Sequence, residues 1–213
     1  MRALAKFVEQ GMVYKGKKPV HWCIHCRTAL AEAEVEYEQH TSPSIYVEFP
    51  LKDDSKGELA ARVPALAGKD VSVLIWTTTP WTIPGNRAIA YGDDIDYAVV
   101  EVFGGVAAGE AKANLPARAG DRFVVAESLV AEFTQAAGFA DVRTIGRLKG
   151  RELAGTVCRH PLHATGYEFD VPLLAADFVD VETGTGFVHI APGHGADDWD
   201  LGVRNGIAVP DTV

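Results

Sequence analysis

Val71-Ser72-Val73-Leu74-Ile75-Trp76 is an apolar run rich in β-branched residues, bounded by charge on one side and prolines on the other, and it reads as a largely buried strand. It runs directly into Thr77-Thr78-Thr79 and then breaks at Pro80, Pro84 and Gly85, so a buried strand delivers three hydroxyls to its end. Threonine is stiff about χ1. Its hydroxyl can therefore be aimed at a ligand or a water while its methyl narrows a pocket. For three threonines alone, ordinary use of threonine in strands is the better explanation, but Trp81, Pro84 and Asn86 make the run more specific.

The same punctuation recurs along the chain. Ile45 to Phe49 alternates, and Tyr97 to Val102, Arg122 to Val125, Val171 to Leu174 and Gly186 to Ile190 are further candidate strands. Two helices interrupt them, one over Ser128 to Ala137 stopped by Gly138, the other beginning near Ala196 with Asp197 and Asp198 in its first turn, where the helix dipole favours negative charge. In that second helix Trp199 and Val203, four apart, are expected to face the core. Ahead of the strands, residues 1–42 read as a connector: a short amphipathic helix bearing Leu4, Phe7 and Val8, then a Gly/Lys/Pro turn. Glu32, Glu34, Glu36 and Glu38 alternate with Ala33, Val35 and Tyr37 in a half-exposed strand pattern. The expected class is α+β, strand-dominated and barrel-like, and 213 residues with 47% hydrophobic content suffice for its core.

No apolar run approaches the roughly 18 residues of a spanning helix, and the N-terminus lacks the apolar stretch of a signal peptide, which points to a cytoplasmic protein. A net charge of −9 argues against holding nucleic acid by a broad basic surface. The average hides Arg2, Lys6, Lys15, Lys17, Lys18 and Arg27, which form either a local phosphate-contacting strip or a solvated face.

Cys23 and Cys26 form a CxxC, whose spacing lets two thiolates bind one Zn²⁺ from a tight turn, but a closed site needs four ligands. Cys158 lies far off beside Arg159 and His160, so the pair is either two free thiols or half of a site completed elsewhere. Glu182 to Asp198 reads as a glycine turn, a short strand ending near His189, a Pro-Gly loop and a helix start. A carboxylate there suits a substrate ammonium, and a histidine can position water or limit pocket depth; a satisfied core histidine and a helix N-terminal acid pair are the plainer readings. The Gly-Thr-Gly lacks the third glycine of a dinucleotide fingerprint and leads into a strand. There is no Gly-x-Ser-x-Gly elbow, and a covalent nucleophile is not indicated.

PVHWCIHCRTALAEAEVEYEQHTSPSIYVEF (19–49), VSVLIWTTTPWTIPGNRAIA (71–90) and GTGFVHIAPGHGADDWDLGVRNGI (184–207) together resemble the editing insertion of bacterial isoleucyl-tRNA synthetases, over nearly the whole chain. Related valyl and leucyl editing domains usually carry Arg after the first two threonines; Thr79 here favours the isoleucyl type. The resemblance implies hydrolysis of mischarged valyl-tRNA(Ile) by a positioned water, and of valyl-adenylate as a further substrate. It assigns Asp198, Thr79 and His189 to catalysis, Asp198 holding the α-ammonium and His189 excluding isoleucine by size. Thr77, Thr78, Trp81, Asn86, Gly193 and His194 are implied as substrate-binding. It further implies no cofactor for editing, a structural zinc in the full-length enzyme at Cys23 and Cys26, and two partners: the aminoacylated 3′ end of tRNA(Ile) and the remainder of the synthetase. Without HIGH or KMSKS signatures the chain is not expected to activate amino acids or charge tRNA. The expected organisation is a connector at 1–42, an editing domain at 43–206 and a return connector at 207–213 ending in Asp211-Thr212-Val213. Two other readings stay open: a metal-dependent hydrolase using His189, His194 and Asp198, and a module that binds an aminoacyl-tRNA end or an amino acid without turnover.

Overall fold

The computed structural model describes residues 2–106 and 118–210. Asp211, Thr212 and Val213, expected to end the return connector, lie outside the described residues. Compactness divides the chain into one unit drawn from residues 2–37 and 192–210 and another from 38–191.

In the first unit, α1 (Arg2–Glu9) buries no residue, and Leu4, Phe7 and Val8 are all exposed. β1 (Trp22–Cys23) and β2 (Thr28–Ala29) form a minimal antiparallel hairpin. The alternating glutamates that follow are not a strand, contrary to expectation. Glu32–Glu34 is a 3-10 turn closed by the Glu34 carboxylate on the Ala31 N–H (2.7 Å), and Glu36 and Glu38 are exposed. Alternation describes a strand only where a neighbouring strand completes its hydrogen bonds, and among the described residues no strand pairs with 32–38. The unit closes with α4 (Ala196–Arg204), which buries Leu201 and Gly202. Val203 is exposed, correcting the expectation that it faces a core, whereas Trp199 is half-buried with its indole N–H on the Lys17 carbonyl (2.7 Å).

The second unit holds two sheets. One has five strands in the order β3-β4-β7-β6-β8: β3 (Ile45–Pro50), β4 (Ser72–Thr77), β7 (Arg122–Ala126), β6 (Asp96–Val106) and β8 (Phe139–Lys149). The other has four, β11-β5-β10-β9: β11 (Phe187–Ile190), β5 (Ala88–Tyr91), β10 (Asp170–Ala175) and β9 (Val157–Arg159). Alternation along β4 explains its unbroken apolar sequence. Val73 and Ile75 enter a core shared with Ile89, Leu173 and Phe187 of the four-stranded sheet and Leu59 of α2 (Asp53–Arg62), while Leu74 points into a second core with Val100, Phe123 and Phe133. A strand covered on both faces needs no polar side. Phe133 belongs to α3 (Val130–Ala137), which ends at Gly138 in the left-handed conformation (φ 70°). Its ring meets Tyr46, Phe123 and Phe139 edge-on with centroids 5.6 to 5.9 Å apart, contacts worth roughly 0.5–1.5 kcal/mol each beyond their area.

The two sheets join where Leu51 bridges Cys158 and the Lys52 N–H reaches the Val157 carbonyl (3.0 Å), and again where the Ala126 N–H at the end of β7 reaches the Thr185 carbonyl ahead of β11 (2.8 Å). The described strands do not otherwise close, so the fold is the expected strand-dominated α+β, two joined sheets rather than a sealed barrel.

Candidate functional site

Thr77 ends β4, and the chain then turns through a 3-10 helix, Pro80–Gly85, into Asn86 and β5. β11 pairs with β5 so that His189 stands opposite Ile89, with the Arg87 N–H on the Ile190 carbonyl (2.9 Å). This pairing brings together residues about a hundred positions apart. Thr82 Oγ1 lies 3.0 Å from His189 Nε2, and Asn86 Nδ2 lies 2.8 Å from His189 Nδ1. On the strand side, the Thr77 and Thr79 hydroxyls are 3.2 Å apart and the Thr79 N–H donates to Thr77 Oγ1 (3.0 Å).

The protons can be assigned from the network. Asn86 Nδ2 also donates to the Ala88 carbonyl (2.8 Å); turning the amide over would set two acceptors against each other. Its other N–H therefore donates to His189 Nδ1. Thr82 Oγ1 donates to the Thr79 carbonyl (2.8 Å), so it accepts from His189, which must carry its proton on Nε2. With one ring nitrogen accepting and the other donating, no lone pair on the imidazole is left for a metal ion, which weighs against the hydrolase reading built on His189, His194 and Asp198. Among the described residues no three His, Cys, Asp or Glu side chains gather as a metal site would require.

The expected site residues differ in accessibility. Thr78, Thr79 and Trp81 are exposed, with the Thr78 carbonyl held by Ser42 Oγ (2.6 Å). Thr77 and His189 are less than a tenth exposed, and Asn86 is completely buried with its amide nitrogen on His189. Asn86 Oδ1 has no hydrogen-bond partner among the described residues, the kind of orphan that active sites retain. Gly193, His194 and Asp198 belong to the other unit. There Gly195 caps α4, and a Cβ on it would lie 2.9 Å from the Asp198 carboxyl carbon; glycine leaves the space that the carboxylate occupies.

Three features carry no signal along the chain. Thr82 is one, hidden because a threonine inside a proline-bounded turn carries no spacing signal. Clefts are another: one of about 230 Å³ is lined by Trp76, Phe178, Asp180, Thr183 and Gly184. A larger one of about 780 Å³ beside Glu48 and Lys69 is lined by charges that pair with neighbours, such as Lys56 with Asp70 and Arg122 with Glu101. The third is His160, fully buried, whose Nδ1 accepts from the Leu162 N–H (3.1 Å) and whose Nε2–H donates to the Ile83 carbonyl (3.0 Å), bracing the 3-10 turn.

Burial pushes the His160 imidazole below its ordinary value of 6.5, the Ile83 carbonyl opposing and Arg87 and His163 adding to the shift. The unfolded chain then binds more protons just below that ordinary value, so the contribution is fully present above it and declines as pH falls towards the depressed folded value. The thermal midpoint should drop between about pH 7.5 and about pH 5, less steeply in His160→Gln, which keeps a neutral donor for Ile83. An equal decline in both chains would remove His160 as the source.

Cys23 and Cys26 occupy the hairpin of the first unit. The Cys26 N–H points at Cys23 Sγ (3.3 Å), the Arg27 N–H returns to the Cys23 carbonyl (2.8 Å), and Arg27 is left-handed (φ 53°). Backbone donation from Cys26, its side chain and the His25 backbone all lower the Cys23 thiol. This turn fits two thiolates of a four-ligand zinc site, and among the described residues no further His, Cys, Asp or Glu gathers with them as a ligand set. Cys158, in the core of the other unit, is held protonated by burial.

Residues 1–183 match the family model of class I tRNA synthetases (I, L, M and V). The chain is 45% identical to the isoleucine–tRNA ligase of Gluconobacter oxydans over 99% of its length and 46% identical to that of Geobacter sulfurreducens over all of it, covering 20% of each. It therefore spans about a fifth of the length of the curated relatives it matches. Among solved structures it is similar to the P. knowlesi cytosolic leucyl-tRNA synthetase editing domain (TM-score 0.60, 15% identity, 81% of this chain and 67% of that one). It is also similar to GlLeuRS-CP1 (TM-score 0.56, 16% identity, 77% and 65%). At such identity these two likenesses concern the fold.

Proposed function

Since the chain belongs to the class I tRNA synthetases of the I, L, M and V group, we propose that it is the editing part of an isoleucyl enzyme, hydrolysing the ester of valine misattached to tRNA(Ile). The observation that carries this reading is the cluster in which Thr82 and Asn86 hold the His189 ring, and Thr82 connects through the Thr79 carbonyl to the paired Thr77 and Thr79 hydroxyls at the end of β4. An aminoacyl ester is already activated. Its hydrolysis needs a placed water and donors for the developing oxyanion more than a covalent intermediate. The exposed Thr78 and Thr79 hydroxyls supply such donors, and Trp81, 63% exposed, offers a face for the terminal nucleotide. His189, with both nitrogens committed, contributes shape and not proton transfer.

A second sieve is needed because a single methylene is worth only about 1–3 kcal/mol in a binding pocket, a limit for which isoleucine against valine is the standard illustration. For Asp198, Gly193 and His194 the roles rest on the resemblance of the motif that contains them. Hydrolysis of valyl-adenylate, a structural zinc completed outside this chain through Cys23 and Cys26, and a cytoplasmic setting belong to the same proposal. Among the described residues no helix is long and apolar enough to cross a membrane.

The test is deacylation of valyl- and isoleucyl-tRNA(Ile) by this chain, with and without a chelator. Selective loss of valine that the chelator leaves unchanged is expected. Binding of the charged tRNA with no hydrolysis of either ester would replace the proposal with a non-catalytic binding module, and chelator-sensitive hydrolysis would replace it with a metal enzyme.

A further inference from the structure

We infer that Thr82 is a positioning residue for His189, forming with Asn86 a two-point clamp that fixes the imidazole plane. This deepens the editing proposal and, as regards selectivity, rests on it. Asn86 alone determines which nitrogen carries the proton, because its amide must donate to Nδ1. One anchor, however, leaves the ring free to swing about its last torsion, which for histidine is broad. The second anchor is Thr82 Oγ1, 3.0 Å from Nε2 and itself directed by its own bond to the Thr79 carbonyl (2.8 Å).

Thr82 is well placed to hold firm. It is 9% exposed, its N–H also donates to the Thr79 carbonyl (3.1 Å), and the next residue, Ile83, is braced by His160. The same Thr79 carbonyl thus links the ring to the residue whose hydroxyl faces Thr77. A ring held at both nitrogens presents a fixed C–H edge, and a wall that discriminates by one methylene must not yield to the larger side chain. Thr82 therefore governs selectivity without touching substrate.

Two variants and a spectroscopic readout test this. Thr82→Val keeps the shape and removes the hydroxyl; Thr82→Ser keeps the hydroxyl and removes the methyl. In the parent chain, nitrogen-edited NMR of the His189 ring should show a proton on Nε2 that exchanges slowly with water. Thr82→Val should lose that protected signal and reduce the preference for valyl- over isoleucyl-tRNA by about tenfold, the effect of one well-made hydrogen bond. Thr82→Ser should restore both. A parent ring protonated on Nδ1, or one whose Nε2 proton exchanges freely, overturns the clamp whether or not either variant folds. So does parent-like selectivity with an unchanged signal in Thr82→Val, or failure of Thr82→Ser to recover the signal. If the parent chain hydrolyses no aminoacyl-tRNA, the editing proposal fails by itself, and the protected proton and its loss in Thr82→Val still decide for or against the clamp.

Discussion

Asp198→Ala should lose deacylation of valyl-tRNA(Ile) by about a hundredfold or more in kcat/KM. The editing proposal has this carboxylate hold the α-ammonium of the misattached valine, and removing one partner of a desolvated charge pair costs roughly 2–5 kcal/mol, where each 1.4 kcal/mol is tenfold. Its local setting suits the task. Asp198 lies in the first turn of α4, where the dipole favours an anion, and the bare Gly195 beside it leaves the carboxylate its space. Asp198→Asn keeps size and removes charge, so it should be impaired nearly as severely. Hydrolysis at the parent rate by Asp198→Ala would end the assignment.

His189→Ala should leave valine hydrolysis measurable and open the site to isoleucine, bringing the two rates to within about tenfold of each other, since one methylene supplies little discrimination once the wall is gone. The ring donates and accepts within the protein at both nitrogens, so its loss removes shape rather than a proton-transfer group. It also strands the Asn86 amide and the Thr82 hydroxyl, and a stability loss of about 1–3 kcal/mol should accompany the change in selectivity. His189→Asn, with a shorter side chain that still donates and accepts, should recover part of the stability and none of the selectivity. The result that defeats the size-filter idea is a His189→Ala chain that clears valyl-tRNA and still spares isoleucyl-tRNA.

Much of the architecture was legible in order along the chain. The apolar run at 71–76, the helix stopped by Gly138 and the acid-rich helix start at Ala196 each carry local signals strong enough to survive folding: β-branched content, a left-handed stop and dipole-complementary charge. β8 was illegible because its eleven residues mix charge with apolar positions, and its identity as a strand depends on pairing with β6 through two register shifts. The glutamate alternation at 32–38 misled for the converse reason, a strand-like pattern with no strand beside it among the described residues. Val203 misled because four-residue spacing predicts a shared face without saying whether anything covers it.

By itself the sequence determined the kind of chemistry available, a triple threonine at a strand end, a histidine at the end of another strand and a carboxylate at a helix start, because residue type and local punctuation are properties of neighbouring positions. Only the tertiary structure decided that His189 meets Asn86 and Thr82, and hence which ring nitrogen carries the proton. That meeting depends on β11 pairing with β5 in one register, a contact across about a hundred residues, and a slip of one position would turn His189 to the other face.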